Sequence, residues 1–336
     1  MLFRCLTIAA LLSAGAWIAP ASATGTSAHA MVVSGNAGHF GGGVFDCATS
    51  GPQPGVLARF GSGVGLPTEG YSYCGLTGGI KDSGNPNGQS TASQSVTNTF
   101  GLGVHNQTAD ATADFGVLKV SSNGSYTGNA VGAFAYHAGE AAAVSTDTLP
   151  TPLGGKFLQF GVTIDGSASI AGSSQILTFL NYQINNGPIF TFFVGDLADG
   201  TAVARDIFGN VAGFTVTTTS ISGSGTVFSL LSDLPVGPTF DLTLGLYAAS
   251  YPGPFGGVAN NDFHNTARLS SLSFYDASRN PIAFGSIVGA SGRIYDADGV
   301  HTAPVGGVPE PASWAMLLIG FAAVGISARR SARTLA

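Results

Sequence analysis

The chain has 336 residues, of which 9% are charged and 50 are glycine, and its formal net charge is −6 at pH 7. Ordinary domains carry about 25% charged residues, so an architecture of long, solvated helices is excluded. The acidic balance also argues against nucleic acid as a partner, because a phosphate backbone requires a basic face. Abundant Val, Leu, Ile and Phe argue against disorder, and the composition is typical of an extracellular β-protein.

The first 23 residues have the three parts of a secretory signal peptide. Arg4 supplies a basic start, residues 6–18 form an apolar core, and Ala21-Ser22-Ala23 provides a small-residue cleavage site. We therefore predict a signal helix that signal peptidase removes after Ala23.

Residues 24–95 are rich in Gly, Ser, Asn and Pro and show weak periodicity. This pattern predicts an irregular, Gly-rich N-terminal lobe, or extra strands packed on the main body. The region contains Cys47 and Cys74. Two cysteines in an exported chain favour a disulfide, worth about 3–4 kcal/mol for a loop of this length. A metal pair is the alternative, although no His or further Cys lies at ligand spacing.

Residues 96–298 show the period-2 alternation of β-strands. Leu158, Phe160, Val162 and Ile164 share one face, and Asp165-Gly166 behind them predicts a turn. Similar stripes occupy residues 176–184, 214–218, 240–246 and 268–275, with earlier candidates near 96–104, 115–120 and 131–137. With turn residues between the stripes and no helix-period segment, we predict an all-β fold, an antiparallel β-sandwich of jelly-roll-like type.

The body offers no recognisable catalytic motif. It lacks a hydrolase elbow, a phosphate-binding loop and a dinucleotide fingerprint. The six histidines have no local metal-ligand spacing, and we interpret them as surface or loop residues. Asp296-Ala297-Asp298-Gly299 and Asn260-Asn261-Asp262 are interpreted as polar loops, with a Ca²⁺ site as the alternative for each and a sugar contact for the second. We therefore predict no catalytic, cofactor or metal residues.

Two observations keep polysaccharide chemistry open. Glu69 and Glu140 are the only glutamates outside the C-terminal tail, but nothing singles out the carboxylate pair that a glycosidase needs. Aromatic residues in Gly/Pro-rich loops could stack on sugar rings, although such residues more often cap a core. These are Tyr71, Tyr73, Tyr251 and Phe255.

The C-terminal tail combines three features in a fixed order: Pro309-Glu310-Pro311, an uncharged run over residues 312–328, and the arginines Arg329, Arg330 and Arg333. As a helix the run would be roughly 25 Å long, slightly shorter than a hydrocarbon core of roughly 30 Å. The prolines hold the preceding segment extended, and the arginines favour a cytoplasmic end. We predict a transmembrane helix over 312–328 behind a polar spacer over 299–307. A permanent C-terminal anchor is the alternative.

The tail resembles the PEP-CTERM sorting signal of Gram-negative bacteria, in the variant with Trp314-Ala315-Met316 after the proline–glutamate–proline triplet. We assign this signal to residues 308–333. The resemblance implies transient anchoring in the inner membrane and cleavage near the triplet by exosortase, a membrane cysteine peptidase. Transfer to the cell surface or exopolysaccharide matrix would follow. Residues 113–121, 147–149, 154–156, 164–167 and 265–270 with Asp276 also resemble segments of uncharacterised PEP-CTERM surface proteins, which implies a β-sandwich and no known activity.

We therefore expect a non-enzymatic, exported surface or matrix protein with a structural or adhesive role in exopolysaccharide or biofilm. Its processing partners would be signal peptidase and exosortase. A carbohydrate-binding module is the alternative, and a polysaccharide hydrolase is the third possibility.

Overall fold

The computed structural model describes residues 25–36, 76–100, 103–128, 135–172, 174–185, 187–198, 201–206, 208–253 and 256–301. Within these ranges every regular element is a β-strand, so none of them contains a helix able to cross a membrane. The predicted signal helix and the predicted helix over 312–328 lie outside the described residues. The strands in chain order are β1 (Gly25–Asn36), β2 (Leu76–Asn85), β3 (Ser90–Phe100), β4 (Gly103–Asp114), β5 (Val117–Thr127), β6 (Ala135–Pro150), β7 (Phe157–Gly172), β8 (Gln175–Ile184), β9 (Phe190–Ala198), β10 (Thr201–Asp206), β11 (Gly209–Asn210), β12 (Phe214–Val216), β13 (Ser220–Phe228), β14 (Ser232–Asp233), β15 (Thr239–Tyr251), β16 (Gly257–Tyr275), β17 (Pro281–Ile282), β18 (Ile287–Val288), β19 (Ile294–Asp296) and β20 (Gly299–His301).

The described strands form two large antiparallel sheets and one small one. The first sheet has the order β11-β10-β9-β8-β15-β6-β1-β2, and the second has the order β12-β13-β7-β16-β5-β4-β3, with β14 and β17 on its margins. The small sheet is β18-β19-β20. The two large sheets pack face to face, which confirms the predicted antiparallel β-sandwich.

Aromatic side chains from both large sheets meet in the core between them. Phe160 of β7 lies edge-on to Tyr182 of β8, with ring centroids 5.0 Å apart. Phe193 of β9 and Phe263 of β16 are 6.1 Å apart, and Phe240 of β15 and Phe274 of β16 are 6.0 Å apart. Each of these pairs joins one sheet to the other, and such ring contacts add about 0.5–1.5 kcal/mol to the burial of apolar area.

The predicted stripes correspond to observed strands, with three differences in detail. The candidate near 96–104 covers the end of β3 and the start of β4, which pair with each other through Phe100 and Gly103. Residues 131–134 of the candidate near 131–137 lie outside the described residues. Asp165-Gly166 is not a turn, because β7 continues to Gly172. Gly166 instead makes room for a ring: a Cβ at this position would lie 2.4 Å from Cδ1 of Phe263. In β15, Asp241 and Thr243 alternate with the apolar residues of the predicted stripe over 240–246, yet both are buried, so this central strand is covered on both faces.

Regular strands extend beyond the expected limits of the body. β1 and β2 join the first sheet, and β3 crosses the expected boundary after residue 95. At the other limit, β20 includes the first residues of the expected spacer, Gly299 to His301. The remaining spacer residues and residues 37–75 lie outside the described ranges.

The chain begins and ends its described course at the same end of the sandwich, which we call the exit end. Gly25 pairs with Thr146 of β6, and the next residue, Asp147, is bonded to Ser291 just before β19. His301 pairs with Ile294 in the same small sheet. The opposite end, which carries the turns at 172–174 and 251–257, we call the far end.

Candidate functional site

The small sheet β18–β20 closes the exit end of the sandwich and is the last described element before the tail. The small sheet lies at the point where β5 begins, at Val117. The neighbouring strand β16 continues past this point to Tyr275. The β19–β20 hairpin of the small sheet is set by local chemistry, since the Asp298 N–H donates to the Asp296 carboxylate at 2.9 Å. Gly299 has φ +97°, and a Cβ there would lie 2.2 Å from the Leu269 carbonyl oxygen. Only glycine fits this close approach.

A buried carboxylate, Asp147 of β6, holds this sheet in place. It accepts hydrogen bonds from the Tyr295 hydroxyl at 2.6 Å, from the Ser291 N–H at 3.0 Å and from the Ser291 hydroxyl. Burial, followed by the negative charge of Asp147, raises the pKa of Tyr295 well above its ordinary value. The phenol therefore stays protonated and remains a donor to the carboxylate.

Two arginines complete the attachment. Arg293 Nη2 lies 2.7 and 2.5 Å from the two carboxylate oxygens of Asp114 at the end of β4. Arg268 Nη2 donates to the Val300 carbonyl at 2.8 Å. Val300 is itself buried and sits against Gly116, where a Cβ would lie 2.8 Å from Val300 Cγ1. We call the contacts that Asp147, Asp114 and Arg268 make with residues 287–301 the mooring. It holds the chain to the sandwich as far as His301, and seven residues separate His301 from Pro309.

The predicted processing residues lie outside the described ranges. These are Ala21 and Ala23, the pair Cys47 and Cys74, the triplet Pro309, Glu310 and Pro311, and the arginines Arg329, Arg330 and Arg333. The structure therefore does not test their roles, which stay predictions. What the structure adds is the mooring, which the sequence reasoning missed.

The second predicted polar loop is not a loop. Asn260-Asn261-Asp262 lies inside β16, and Asn261 is fully buried. Its amide nitrogen donates to the carbonyls of Leu177 at 2.8 Å and Ala249 at 3.0 Å, and its amide oxygen accepts from the Thr178 hydroxyl at 2.9 Å. The side chain therefore joins the two sheets rather than facing solvent.

The first polar segment does form a turn. Asp296 caps the β19–β20 hairpin and lies 2.8 Å from His301 Nε2. Among the residues that the structure describes, no group of three or more His, Cys, Asp or Glu side chains is placed to hold a metal ion.

Among the histidines whose side chains the structure describes, His105 departs from the surface or loop position that we expected. His105 of β4 is buried between the sheets, where its Nε2 lies 3.2 Å from Gln107 Oε1. Gln107 Nε2 donates to Ser250 Oγ at 2.5 Å, and Ser250 Oγ lies 2.6 Å from Ser122 Oγ. Glycines make room for this row of hydrogen-bonded side chains, because a Cβ at Gly124 would lie 2.0 Å from Gln107 Oε1.

The residues proposed for polysaccharide chemistry are only partly described. Glu140 is buried on β6 and accepts a hydrogen bond from the half-buried Tyr251 hydroxyl at 3.2 Å. Glu69, Tyr71, Tyr73 and Phe255 lie outside the described residues. Tyr251 thus contacts a carboxylate of its own chain.

An open groove of about 490 Å³ lies at the exit end between the β8–β9 connection and residues 230–235. Phe190 forms part of its wall and stacks on Tyr182 with centroids 5.2 Å apart. Two of its polar side chains are engaged within the protein: Asn185 Oδ1 accepts from the Asp241 N–H, and Ser232 Oγ lies 3.1 Å from the Tyr182 hydroxyl. The groove is therefore mainly apolar.

Comparison with known proteins identifies a sorting motif in the tail. Residues 307–331 match the PEP-CTERM protein-sorting motif, which confirms the predicted signal. The match includes the triplet, Arg329 and Arg330, and ends before Arg333. No curated protein and no solved structure matches the chain. The motif indicates an exported protein that is held at the membrane in transit and processed by exosortase.

Proposed function

We propose that the protein is a non-enzymatic component of the cell surface or of the exopolysaccharide matrix, with a structural or adhesive role. Signal peptidase would cleave after Ala23, and exosortase would cleave near Pro309-Glu310-Pro311 and release the body from the inner membrane. The observation that carries this proposal is the sorting motif at residues 307–331, directly behind a moored β-sandwich.

The use of the buried polar groups supports a structural role for the body. Asp147 serves the mooring, Asn261 joins the sheets, and Gln107 links His105 to Ser250. Buried polar side chains that are engaged in such contacts favour a unique, rigid fold. The second candidate, a carbohydrate-binding module, is favoured only by the groove, whose lining includes the ring of Phe190 and the exposed Asp233.

The sorting proposal is tested by replacing the triplet with alanines in the producing bacterium. We expect the variant to stay at precursor mass in the membrane fraction, because an altered triplet would not be cleaved. Thr302→Ala, outside the matched motif, is the control and should be processed as the wild type is. Normal processing of the wild-type chain in a strain without exosortase would refute the proposal.

The adhesive role has a separate test. The full chain, or its processed form, is passed over immobilised exopolysaccharide purified from the producing bacterium and over unrelated polysaccharides, and its retention is measured. We expect retention by the native exopolysaccharide. The absence of retention, despite normal processing, would remove both the adhesive role and the carbohydrate-binding alternative while leaving the sorting claim intact.

A further inference from the structure

Large apolar side chains protrude at the exit end of the sandwich. Leu153 is 99% exposed, Val236 is 101% exposed, Phe208 is 69% exposed and Val288 is 58% exposed. All four lie in turns or short strands at that end. Exposed large hydrophobics towards the far end are fewer and less protruding among the described residues, with Val216 at 40%, Val104 at 38% and Val258 at 37%. The exposed apolar surface is therefore concentrated at the end from which the tail leaves.

Leu153 and Val236 sit on two adjoining loops, residues 151–156 and 229–238, which we call the tip. The Thr151 N–H donates to the Pro238 carbonyl, and the Leu234 N–H donates to the Lys156 carbonyl, both at 2.8 Å. These backbone bonds fix the loops to each other, so that the two side chains project from one well-supported surface. Apolar side chains on loops held in this way suit contact with a membrane interface.

The reach of the tail agrees with such a contact. The distance to the tip can be counted along β6 from Thr146, whose pairing with Gly25 marks the exit end. The tip lies about five residues further along the chain, or about 17 Å at strand spacing. Seven residues separate His301 from Pro309, and an extended stretch of that length spans at most roughly 24 Å. A body held by its tail therefore has its tip within reach of the bilayer surface.

We propose that the tip is a membrane-contacting surface, through which the precursor rests on the lipid bilayer while its tail is still anchored. Leu153 and Val236 of the tip, together with the exposed Val288 of β18 at the same end, enter the interfacial region, and the far end points away from the membrane. Charge at the tip and beside it is mixed, since exposed Lys156 and the neighbouring exposed Arg279, which lies over the Phe157 ring, accompany exposed Asp233. The attraction is thus mainly apolar and requires no anionic lipid.

Depth-dependent fluorescence quenching tests this orientation on the full-length protein. The chain is reconstituted in uncharged phosphatidylcholine vesicles whose lipids carry a nitroxide at a shallow acyl carbon. A fluorescent amino acid is placed at Val236, or at the exposed Ala171 of the far end. We expect strong quenching at position 236, none at position 171, and no effect of high salt.

Surface variants separate insertion from simple tethering. Each apolar side chain removed should shift the ratio of inserted to free tips roughly tenfold, so Leu153→Ser with Val288→Ser should abolish most quenching at position 236. The matched pair Val104→Ser with Val258→Ser at the far end should leave it unchanged, and circular dichroism checks the fold of both.

Three results would overturn the proposal. They are equal signals at positions 236 and 171, quenching that survives the Leu153→Ser and Val288→Ser changes, and quenching that appears only when exosortase is present. The last result would identify a protein rather than lipid as the partner. None of them affects the test of exosortase processing, which is read on the cleavage of the tail.

Discussion

Single polar residues carry much of the specificity of this sandwich, and Asn261 is the clearest case. It makes three hydrogen bonds that connect β16 to β8 and β15 across the core. Asn261→Ala removes all three and leaves buried carbonyls without a donor, so we expect a loss of about 2–4 kcal/mol in unfolding free energy. Urea unfolding measures it. The adjacent Asn260→Ala is the control, and because Asn260 is exposed its effect should stay within about 0.5 kcal/mol. Equal effects of the two changes would contradict the proposed bridge.

His105 gives the body a specific response to acid. Burial lowers the pKa of this imidazole from 6.5 to about 4, although its hydrogen bond with Gln107 acts in the opposite direction. Between these two values the unfolded chain binds a proton that the folded chain does not. The resulting stabilisation is complete above pH 6.5 and is lost as the pH falls towards 4, by on the order of 3 kcal/mol.

The variant His105→Gln isolates this contribution from that of the carboxylates, which titrate in both proteins. We expect the difference in unfolding free energy between pH 7 and pH 4.5 to be smaller in the variant than in the wild type. Urea unfolding at the two pH values provides the comparison. An identical pH dependence in both proteins would show that His105 is not responsible.

At the scale of elements, the mooring decides whether residues 287–301 belong to the body or to the tail. Asp147→Asn replaces a carboxylate that accepts three hydrogen bonds with an amide that offers one acceptor oxygen. We expect β18–β20 to open locally, at a cost to the small sheet of about 2–4 kcal/mol. Hydrogen exchange should accelerate in residues 287–301 and remain slow in β7 and β15. Asp298→Asn, on the exposed hairpin turn, should leave exchange at β18 unchanged.

Sequence periodicity predicted the elements better than their ends. The alternation from Leu158 to Ile164 located β7, but the glycine behind it serves ring packing against Phe263 rather than a turn. Asn260-Asn261-Asp262 has the composition of a loop, and only the opposite sheet, with the carbonyls of Leu177 and Ala249, explains why it is strand. Long-range partners of this kind are invisible to local pattern.

The same limit explains the candidate site. The sorting motif is local and linear, so residues 309–311 and the arginines behind them were identified from the sequence alone. The mooring joins Asp147 to Ser291 and Asp114 to Arg293, pairs that lie 144 and 179 residues apart. No spacing rule links them, although the rarity of charge in this chain singles out each buried or paired carboxylate for attention.

At the scale of the whole molecule, the two large sheets depend on the last long strands. β15 lies between β8 and β6, and β16 lies between β7 and β5. Both are therefore central, although both come late in the chain. A sheet whose middle strand is missing has open edges, which pair readily with other chains.

The position of β16 sets the timing of maturation. The predicted signal peptide directs export from the N-terminus, so we expect the second sheet to stay incomplete until residue 275 has crossed the membrane, when residues 276–306 are all that separate it from the sorting motif. Folding and arrival of the tail are thus nearly simultaneous. We expect the tail to restrain the newly exported chain during the short interval in which its unfinished edges are most prone to aggregate, before exosortase sets the closed sandwich free.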